Sequence, residues 1–200
     1  MGKSRDRASF EALYAAVSDQ LARGRYRPGD RIGLKALSDD LKVSPTPLRE
    51  ILSRLVGRDV VTEQRSEGYY LTRLDTRDVV DLYRLHHACI ERAIPGRPAS
   101  SLAAPDGDIW NLFDTLAAAS GDRILAGVRR YLDDRLKLVR RCERALLHDE
   151  EEMTRRCRGA LDDSDMESFR TLAARFHAAR IDHADKIADL TNRGSHHQIY

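Results

Sequence analysis

Long hydrophobic runs are missing from this sequence of 200 residues. No apolar run approaches the roughly 20 residues that a transmembrane helix needs, and the opening residues MGKSRDRASFEA lack the apolar core of a signal peptide. We therefore expect a cytoplasmic protein. The hydrophobic fraction of 42% and the charged fraction of 33% are those of an ordinary globular chain, so disorder is not expected.

Cysteine is also scarce. Its three positions, Cys89, Cys142 and Cys157, stand far apart and form no CxxC pair. This scatter argues against a disulfide framework and against a structural zinc site, both of which need paired thiols. The sequence likewise lacks a glycine-rich phosphate loop and a nucleophile motif. We therefore predict that the protein is not an enzyme and holds no cofactor.

Charge of one sign is not in excess either. The chain has 34 Lys and Arg against 32 Asp and Glu, which leaves a net charge of +2. Bulk electrostatics therefore give no argument for a nucleic acid partner. Any such argument has to come from particular residues and their spacing.

The first 75 residues predict an ordered series of short elements. Apolar residues at helical spacing mark a helix that Gly24 ends, and a Pro-Gly turn separates it from a second helix. A third helix follows Lys42 and Val43, and two β-favouring runs, VVTEQ and GYYLTRL, flank RSEG as in a hairpin. This order is that of a winged helix-turn-helix. The inward residues of the third helix are Leu48, Ile51, Leu52 and Leu55.

The stretch SPTPLRE opens the third helix. Ser44 is expected to cap it by accepting backbone hydrogen bonds, and Pro45 and Pro47 suit a first turn whose N–H groups have no intrahelical partner. Thr46 and Arg49 remain on the outward side. A helix start with these side chains can enter a DNA major groove, where arginine pairs with guanine. The plainer interpretation is that the stretch only caps a helix and that Arg49 is solvated.

Residues 10–73 resemble the DNA-binding domain of the GntR family of bacterial transcription regulators. The segment PGDRIGLKALSDDLKVSPTPLREILSRL matches the family pattern in spacing, which continues to the glycine of the hairpin. The resemblance implies a homodimer that binds a palindromic operator. Many members have Arg directly after the capping residue, where this sequence has Pro45. The DNA-contacting positions that the resemblance implies are Lys35, Ser44, Thr46, Arg49, Arg65, Gly68 and Tyr69.

From Thr76 onward the apolar spacing predicts an antiparallel bundle of five or six helices, so the fold class is mostly α. One long helix is expected over residues 125–146 and a last one over residues 169–190, with an irregular segment at Pro95–Gly107. The start DVVDLYRLHHACIERAI resembles the ligand-sensing domain of the family's FadR-like branch, in its VanR-like (FCD) subgroup. The predicted domains are 1–75, the winged helix-turn-helix; 76–193, for effector binding and dimerisation; and 194–200, a tail.

Many sensors of that branch hold a divalent metal with D-x-x-x-H and later histidines. The matching positions here are Ile109, Phe113 and one near Thr154, so we predict no metal site. The expected effector is a small organic acid bound by charge-assisted hydrogen bonds. The runs HDEEE and VRRYLDDRLKLVRRCER are interpreted as solvated helix faces. The candidate effector-binding residues are Tyr83, His86, Arg135, His177 and Arg180.

Together these features favour a sequence-specific DNA-binding regulator of transcription, most often a repressor in the family it resembles. In this hypothesis the effector shifts the bundle and changes the fit of two recognition helices to half-sites about one helical turn apart. Two alternatives stay open. One is a metal-dependent sensor of the same family, and the other is a winged-helix module that binds a protein partner and no specific DNA.

Overall fold

The computed structural model describes residues 2–94 and 107–194, with the side chains of residues 10–94 and 107–194. Helices dominate these ranges, and one hairpin supplies the β-structure within them. The strands are β1 (Val61–Gln64) and β2 (Gly68–Leu71). The helices are α1 (Gly2–Ala22), α2 (Leu34–Leu41), α3 (Pro45–Val56), α4 (Thr76–Ala93), α5 (Ile109–Ala119), α6 (Arg123–Leu136), α7 (Arg140–Leu147), α8 (Glu150–Asp162), α9 (Met166–Asp182) and α10 (Ala184–Arg193).

Two predicted segments fall almost entirely outside these ranges. They are the irregular segment Pro95–Gly107, of which only the last residue is described, and the tail 194–200, of which only the first residue is described. In the described part of the chain, no helix is both long and apolar enough to cross a membrane.

The predicted fold class is confirmed, because three helices and a hairpin precede a helical remainder. The two strands pair antiparallel, with Val61 opposite Leu71. A short extended segment before α2 runs along the outer edge of β2, where the backbone N–H of Ile32 donates to the carbonyl of Tyr69 over 2.7 Å. The wing is therefore a hairpin supported on one side by residues 29–32.

The apolar stripe of α3 forms the centre of the N-terminal core. Its four predicted inward residues recur at helical spacing, and each is fully buried. Burying a side chain of this size contributes about 1.5–3 kcal/mol, so the stripe holds α3 in a fixed rotation about its own axis. That rotation decides which side chains of α3 face outward. The four residues are Leu48, Ile51, Leu52 and Leu55.

Contacts divide the chain into two compact units. Unit 1 contains the residues up to Leu74, together with Asp134–Arg141 and the described residues from Ala188 onward. Unit 2 contains Asp75–Asp133 and Cys142–Ile187. The predicted domain boundaries remain a prediction, and this grouping adds two later segments to the N-terminal unit.

Side chains tie these later segments into unit 1. The Tyr14 hydroxyl donates to the Asp134 carboxylate over 2.7 Å, and the Asn192 side chain donates to the carbonyl of Leu74 over 2.7 Å. Burial and the Asp134 carboxylate raise the pKa of Tyr14, so its hydroxyl stays protonated and remains the donor. The turn after α6 thus belongs structurally to the N-terminal unit.

Unit 2 is a helical bundle with an aromatic centre, in which α4, α5, α8 and α9 pack together. The starts of α4 and α5 are each closed by a capping box, from Asp75 with Asp78 and from Asp108 with Asn111. These caps fix where each helix begins and therefore the register of its inward side chains. Fully buried aromatic rings of this centre are Tyr83, Phe113, Phe169 and Phe176, and Trp110 is buried as well.

Two helices that we predicted as continuous are interrupted. The helix expected over residues 125–146 ends at Leu136 and resumes at Arg140 after a turn of residues 137–139. The last helix is broken at His183, between α9 and α10. Neither break contains Pro or Gly, so the sequence carries no local signal for it. The break at 137–139 lies in the segment that groups with unit 1, and the break at His183 lies within unit 2.

Candidate functional site

The start of α3 is held by its prolines and not by the predicted cap. Ser44 occupies the N-cap position in extended backbone, at φ −68° and ψ 158°, but its side chain makes no capping hydrogen bond. An N-cap side chain normally accepts from the second or third helical N–H, and the third residue is Pro47, which has none. Pro45 in the first helical position has a ring that presets the helical φ. The predicted cap bond of Ser44 is therefore wrong.

The outward side of this helix start is open to solvent. Thr46 and Arg49 are both exposed, and the intervening Leu48 is buried. The burial of the leucine stripe thus turns Thr46 and Arg49 away from the core, as predicted. Because α3 begins here, its first backbone N–H groups and the positive end of its dipole point to the same side. This combination suits an anionic partner.

Exposed cations lie on α2, on α3 and on the wing with its edge segment within unit 1. A groove of about 510 Å³ lies between the start of α2, α3 and the wing, and Arg31 and Arg49 both line it. Lys35 on α2 and Arg65 in the hairpin turn are exposed as well. None of the four forms an ion pair with any residue that the structure describes. Their charges are therefore available to a partner.

Other arginines of unit 1 are used inside the protein. The Arg54 guanidinium lies 5.5 Å from the ring centre of Phe10 and 5.2 Å from that of Tyr14, and 3.5 Å from the Glu11 carboxylate. Arg25 pairs with Asp40. The contrast separates structural arginines from those left on the face around α3.

One residue of the wing that we predicted to contact DNA is buried. Tyr69 is only 8% exposed, and its hydroxyl lies 3.3 Å from the Ser53 hydroxyl on α3. Residues alternate along β2, so Tyr69 points inward while Gly68 and Tyr70 remain partly exposed. Gly68 has φ +111°, a value that favours glycine. Tyr69 therefore anchors the wing to α3 and does not face outward.

Sequence reasoning missed Arg31. It precedes Ile32, which is buried, and it forms a β-bridge with Tyr70 on the edge of the wing. The alternation of an outward Arg31 with an inward Ile32 was visible in the sequence, but the pairing with β2 was not. Only that pairing brings Arg31 to the face that carries Arg49.

In unit 2, four of the five candidate effector residues are buried, and they form two hydrogen-bonded groups. The first group is centred on Arg180. Its Nε donates to the Glu143 carboxylate over 2.5 Å, its Nη2 donates to the Asp149 carboxylate over 2.9 Å, and its Nη1 donates to the carbonyl of Phe176 over 3.0 Å. The Tyr83 hydroxyl donates to the other oxygen of Glu143. Although burial disfavours the charge, Glu143 and Asp149 raise the pKa of Arg180.

This network corrects the interpretation of the charge runs as solvated faces. Glu143, from the run VRRYLDDRLKLVRRCER, is fully buried. Arg129 from the same run is also buried and donates to the Asp114 carboxylate over 2.9 Å, while it pairs with Asp133. The helical spacing of charges did not reveal these positions, because each is satisfied by a partner from another helix or by a neighbour one turn away.

The second group joins two histidines. The Nδ1 of His177 lies 2.6 Å from the carbonyl of Ala173, so this nitrogen carries the proton. The Nε2 of His177 can then accept from the Nδ1 of His86, which is 2.6 Å away. Burial lowers the pKa of His177 to about 3. His177 is therefore neutral near pH 7 and does not supply the positive charge that we expected for binding an anion.

Arg135, the fifth candidate, is not with the others. It ends α6 in the segment Asp134–Arg141 of unit 1, whereas the remaining four belong to unit 2. Arg135 lies in the last turn of α6, before the turn of residues 137–139. Its assignment to the effector cluster remains a prediction.

The positions that correspond to metal ligands in the family it resembles have no ligating set. Ile109 and Phe113 are fully buried, and the Thr154 hydroxyl donates to the carbonyl of Glu150 over 2.6 Å. Across residues 2–94 and 107–194, no group of three or more His, Cys, Asp and Glu side chains is arranged to hold a metal ion. The absence of a metal site remains a prediction.

A cavity of about 800 Å³ opens at the α7–α8 corner of unit 2. Arg144, Asp149, Glu150 and Arg158 are among its lining residues. The Nε of Arg144 lies 3.1 Å from the Glu150 carboxylate, and burial raises the pKa of Glu150. Asp149 lines this cavity and also accepts hydrogen bonds from the buried Arg180.

Comparison with known proteins finds a family and relatives that the N-terminal part of the chain resembles. Residues 10–71 match the model of the family described as bacterial regulatory proteins, gntR family. The nta operon transcriptional regulator of Aminobacter aminovorans is 42% identical over 60 residues, which are 30% of this chain and 29% of that protein. The HTH-type transcriptional repressor GlaR of Escherichia coli K12 is 27% identical over 106 residues, 53% of this chain and 46% of that protein.

The chain therefore spans less than half the length of these curated relatives. The matched family and both relatives are regulators of transcription, which agrees with the prediction that this chain is not an enzyme. Two solved structures share the fold across most of the chain. E. coli McbR/YncC superposes with a TM-score of 0.65 at 20% identity, covering 88% of this chain and 96% of that one. A transcriptional regulator GntR from Rhodococcus sp. RHA1 gives 0.68 at 17% identity, covering 90% and 97%.

Proposed function

We propose that the chain is a sequence-specific DNA-binding regulator of transcription, because residues 10–71 match the model of the gntR family of bacterial regulatory proteins. The observation that carries this proposal is the set of exposed cations around the start of α3. They have no ion-pair partner in the described part of the chain. An unneutralised set of this kind matches the phosphates and guanine edges of duplex DNA.

Each residue of this face has a role in the proposed complex. Arg49 reads a guanine through two parallel hydrogen bonds to O6 and N7, and the Thr46 methyl contacts a thymine methyl or the backbone. Lys35 and Arg65 bind phosphates on either side of the groove and set the orientation of α3. Ser44 lies at the N-terminal end of α3, where a phosphate can accept a hydrogen bond from the Thr46 N–H, because Pro45 and Pro47 have none.

We further propose a homodimer that binds a palindromic operator and acts as a repressor. The resemblance to the FadR-like branch supports the dimer, and the similarity of 106 residues to the repressor GlaR supports repression. Two copies of α3 would then occupy major grooves about one helical turn apart.

Selection of duplexes from a random pool by the full-length protein tests the proposal. We expect the enriched duplex to bind at least about a thousandfold more tightly than a random duplex in fluorescence anisotropy at fixed salt. The binding constant should fall steeply as salt rises, because counterions are released from the DNA. Equal affinity for enriched and random duplexes would contradict specific recognition and favour a protein-binding winged helix.

We propose that a small organic acid is the effector and that it enters the cavity at the α7–α8 corner. Asp149 lines this cavity and holds the buried Arg180 through two hydrogen bonds, of 2.9 and 3.2 Å. A ligand carboxylate can replace the Asp149 carboxylate on this guanidinium, since both present the same pair of oxygens. Displacing Asp149 would move the start of α8, so binding of the ligand would change the conformation of unit 2.

The Asp149→Asn variant tests whether the ligand carboxylate binds at Arg180 or at another site. Removing the competing charge should raise the affinity for the active carboxylate about tenfold, as measured by isothermal titration with a panel of mono- and dicarboxylates. Asp163→Asn, an exposed residue at the C-terminal end of α8, is the matched control and should leave the affinity unchanged. An Asp149→Asn affinity equal to that of the wild type would place the site elsewhere.

A further inference from the structure

Arg31 lies against the backbone of the wing. The Nε of Arg31 would be 3.4 Å from a Cβ placed on Gly68, and its Nη2 would be 3.6 Å away. Gly68 has no side chain there, so the guanidinium rests directly beside the start of β2. The wing therefore carries an arginine that comes from a different part of the sequence.

The backbone around Arg31 is held on both sides. Ile32 N–H donates to Tyr69 O over 2.7 Å, and Leu71 N–H donates to the carbonyl of Asp30 over 3.0 Å. Ile32 is buried, which turns Arg31 outward by the alternation of an extended strand. The guanidinium thus extends from a fixed backbone and not from a loop tip, so placing it on a partner orders the side chain but little additional backbone.

The charge of Arg31 is near carboxylates but is not neutralised by them. Glu63 and Glu67 line the same groove, and Glu67 accepts a hydrogen bond from the Tyr70 hydroxyl at 3.2 Å. Arg31 forms no ion pair with these or with any other residue in the described ranges. A guanidinium that is kept exposed beside two carboxylates without pairing is available to an external anion or acceptor.

Arg31 and Arg49 lie on one face but on different elements. They line one groove of about 510 Å³, with Arg49 on the α3 side and Arg31 on the wing side. In the proposed complex Arg49 lies in the major groove, which is bordered by phosphates and, beyond them, by the minor groove. In that complex a cation on the wing can reach DNA that flanks the base pairs read by Arg49.

We propose that Arg31 is a specificity-determining residue that enters the minor groove flanking the operator core and makes affinity depend on A·T pairs there. A·T-rich tracts have a narrow minor groove with enhanced negative potential, which attracts arginine. Guanine adds an N2 amino group to that groove, which blocks close approach. The guanidinium is preferred over an ammonium because it is more weakly hydrated. This inference rests on the proposed DNA-binding function.

Flank exchange in the duplex selected by the wild type tests the inference. Replacing flanking A·T pairs by G·C should weaken wild-type binding roughly tenfold. Replacing them by inosine·cytosine should restore it, because inosine lacks the N2 amino group yet keeps the major-groove edge of guanine. The Arg31→Ala protein should bind all three duplexes with one reduced affinity, and Arg31→Lys should keep the salt dependence but lose most of the flank preference.

Arg49→Ala is the internal control, because it should lower affinity for the core and leave the ratio between flanks unchanged. An Arg31→Ala protein that keeps the wild-type ratio between A·T and G·C flanks would overturn the inference. So would an Arg31→Lys protein that matches the wild type on every duplex, since a phosphate contact needs only a point charge. Failure of the wild type to select any duplex would instead overturn the proposed function.

Discussion

Replacing Arg180 by methionine is expected to lower the free energy of unfolding of unit 2 by about 3–5 kcal/mol. The reason is the environment of its partner Glu143, which is fully buried and would keep only the Tyr83 hydroxyl as a neighbouring donor among the bonds described above. Methionine preserves most of the side-chain volume, so the loss reports the uncompensated carboxylate and not a cavity. Urea unfolding at a fixed protein concentration measures it.

Two further variants show whether charge is the cause. The double variant Arg180→Met with Glu143→Met should recover most of the loss, because a buried ion pair replaced by apolar side chains is often neutral in stability. Arg193→Met is the matched surface control, since the Arg193–Asp189 pair is exposed and such pairs contribute about 0.3–0.5 kcal/mol. A single variant that loses less than about 1 kcal/mol would mean that water reaches Glu143 and that the carboxylate is not buried as described.

Replacing Arg49 by alanine is expected to weaken operator binding by about 1–3 kcal/mol, or about 5- to 150-fold. Arg49 is exposed beside the fixed start of α3, and alanine removes a bidentate guanine contact without touching the leucine core. The loss should be confined to operators that keep the guanine at that position. Anisotropy titrations against the selected duplex and a set of single base-pair variants measure both effects.

Arg77→Ala provides the control for Arg49. Its side chain is 90% exposed on α4 and pairs with Asp81, one turn away, so its removal changes the net charge equally without altering the face around α3. We expect its operator affinity to equal that of the wild type. If Arg49→Ala lowers affinity for every duplex by the same factor, Arg49 is a phosphate contact and the guanine assignment is wrong.

The N-terminal half of the candidate interface could be predicted from local patterns. The spacing of Leu48, Ile51, Leu52 and Leu55 determines the inward face of α3, because a helix brings residues three and four apart to one side. Thr46 and Arg49 follow from it by exclusion. The Ser44 cap was mispredicted because Pro47 removes the third helical N–H, one of the two that an N-cap serine can use, and Ser44 does not bond to the other.

The helical unit 2 was predicted less well, because its polar residues are satisfied by partners that are distant in the sequence. Tyr83 and Glu143 are 60 residues apart, and Glu143 and Arg180 are 37 apart. Helical spacing treats a charged residue as exposed unless it lies within an apolar stripe. It therefore assigned Glu143 to a solvated face, and it kept Arg135 in a continuous helix that the structure interrupts.

The sequence by itself determined the order of the elements, the inward face of α3 and the outward position of Arg49, since each depends on residues within a few turns of one another. Tertiary structure alone decided that Glu143 and Arg180 meet in the core and that Arg31 lies beside Gly68. It also decided that Tyr69 supports the wing from inside. A buried charge or a strand-edge contact depends on a partner that is remote in sequence, and no local periodicity encodes that partner.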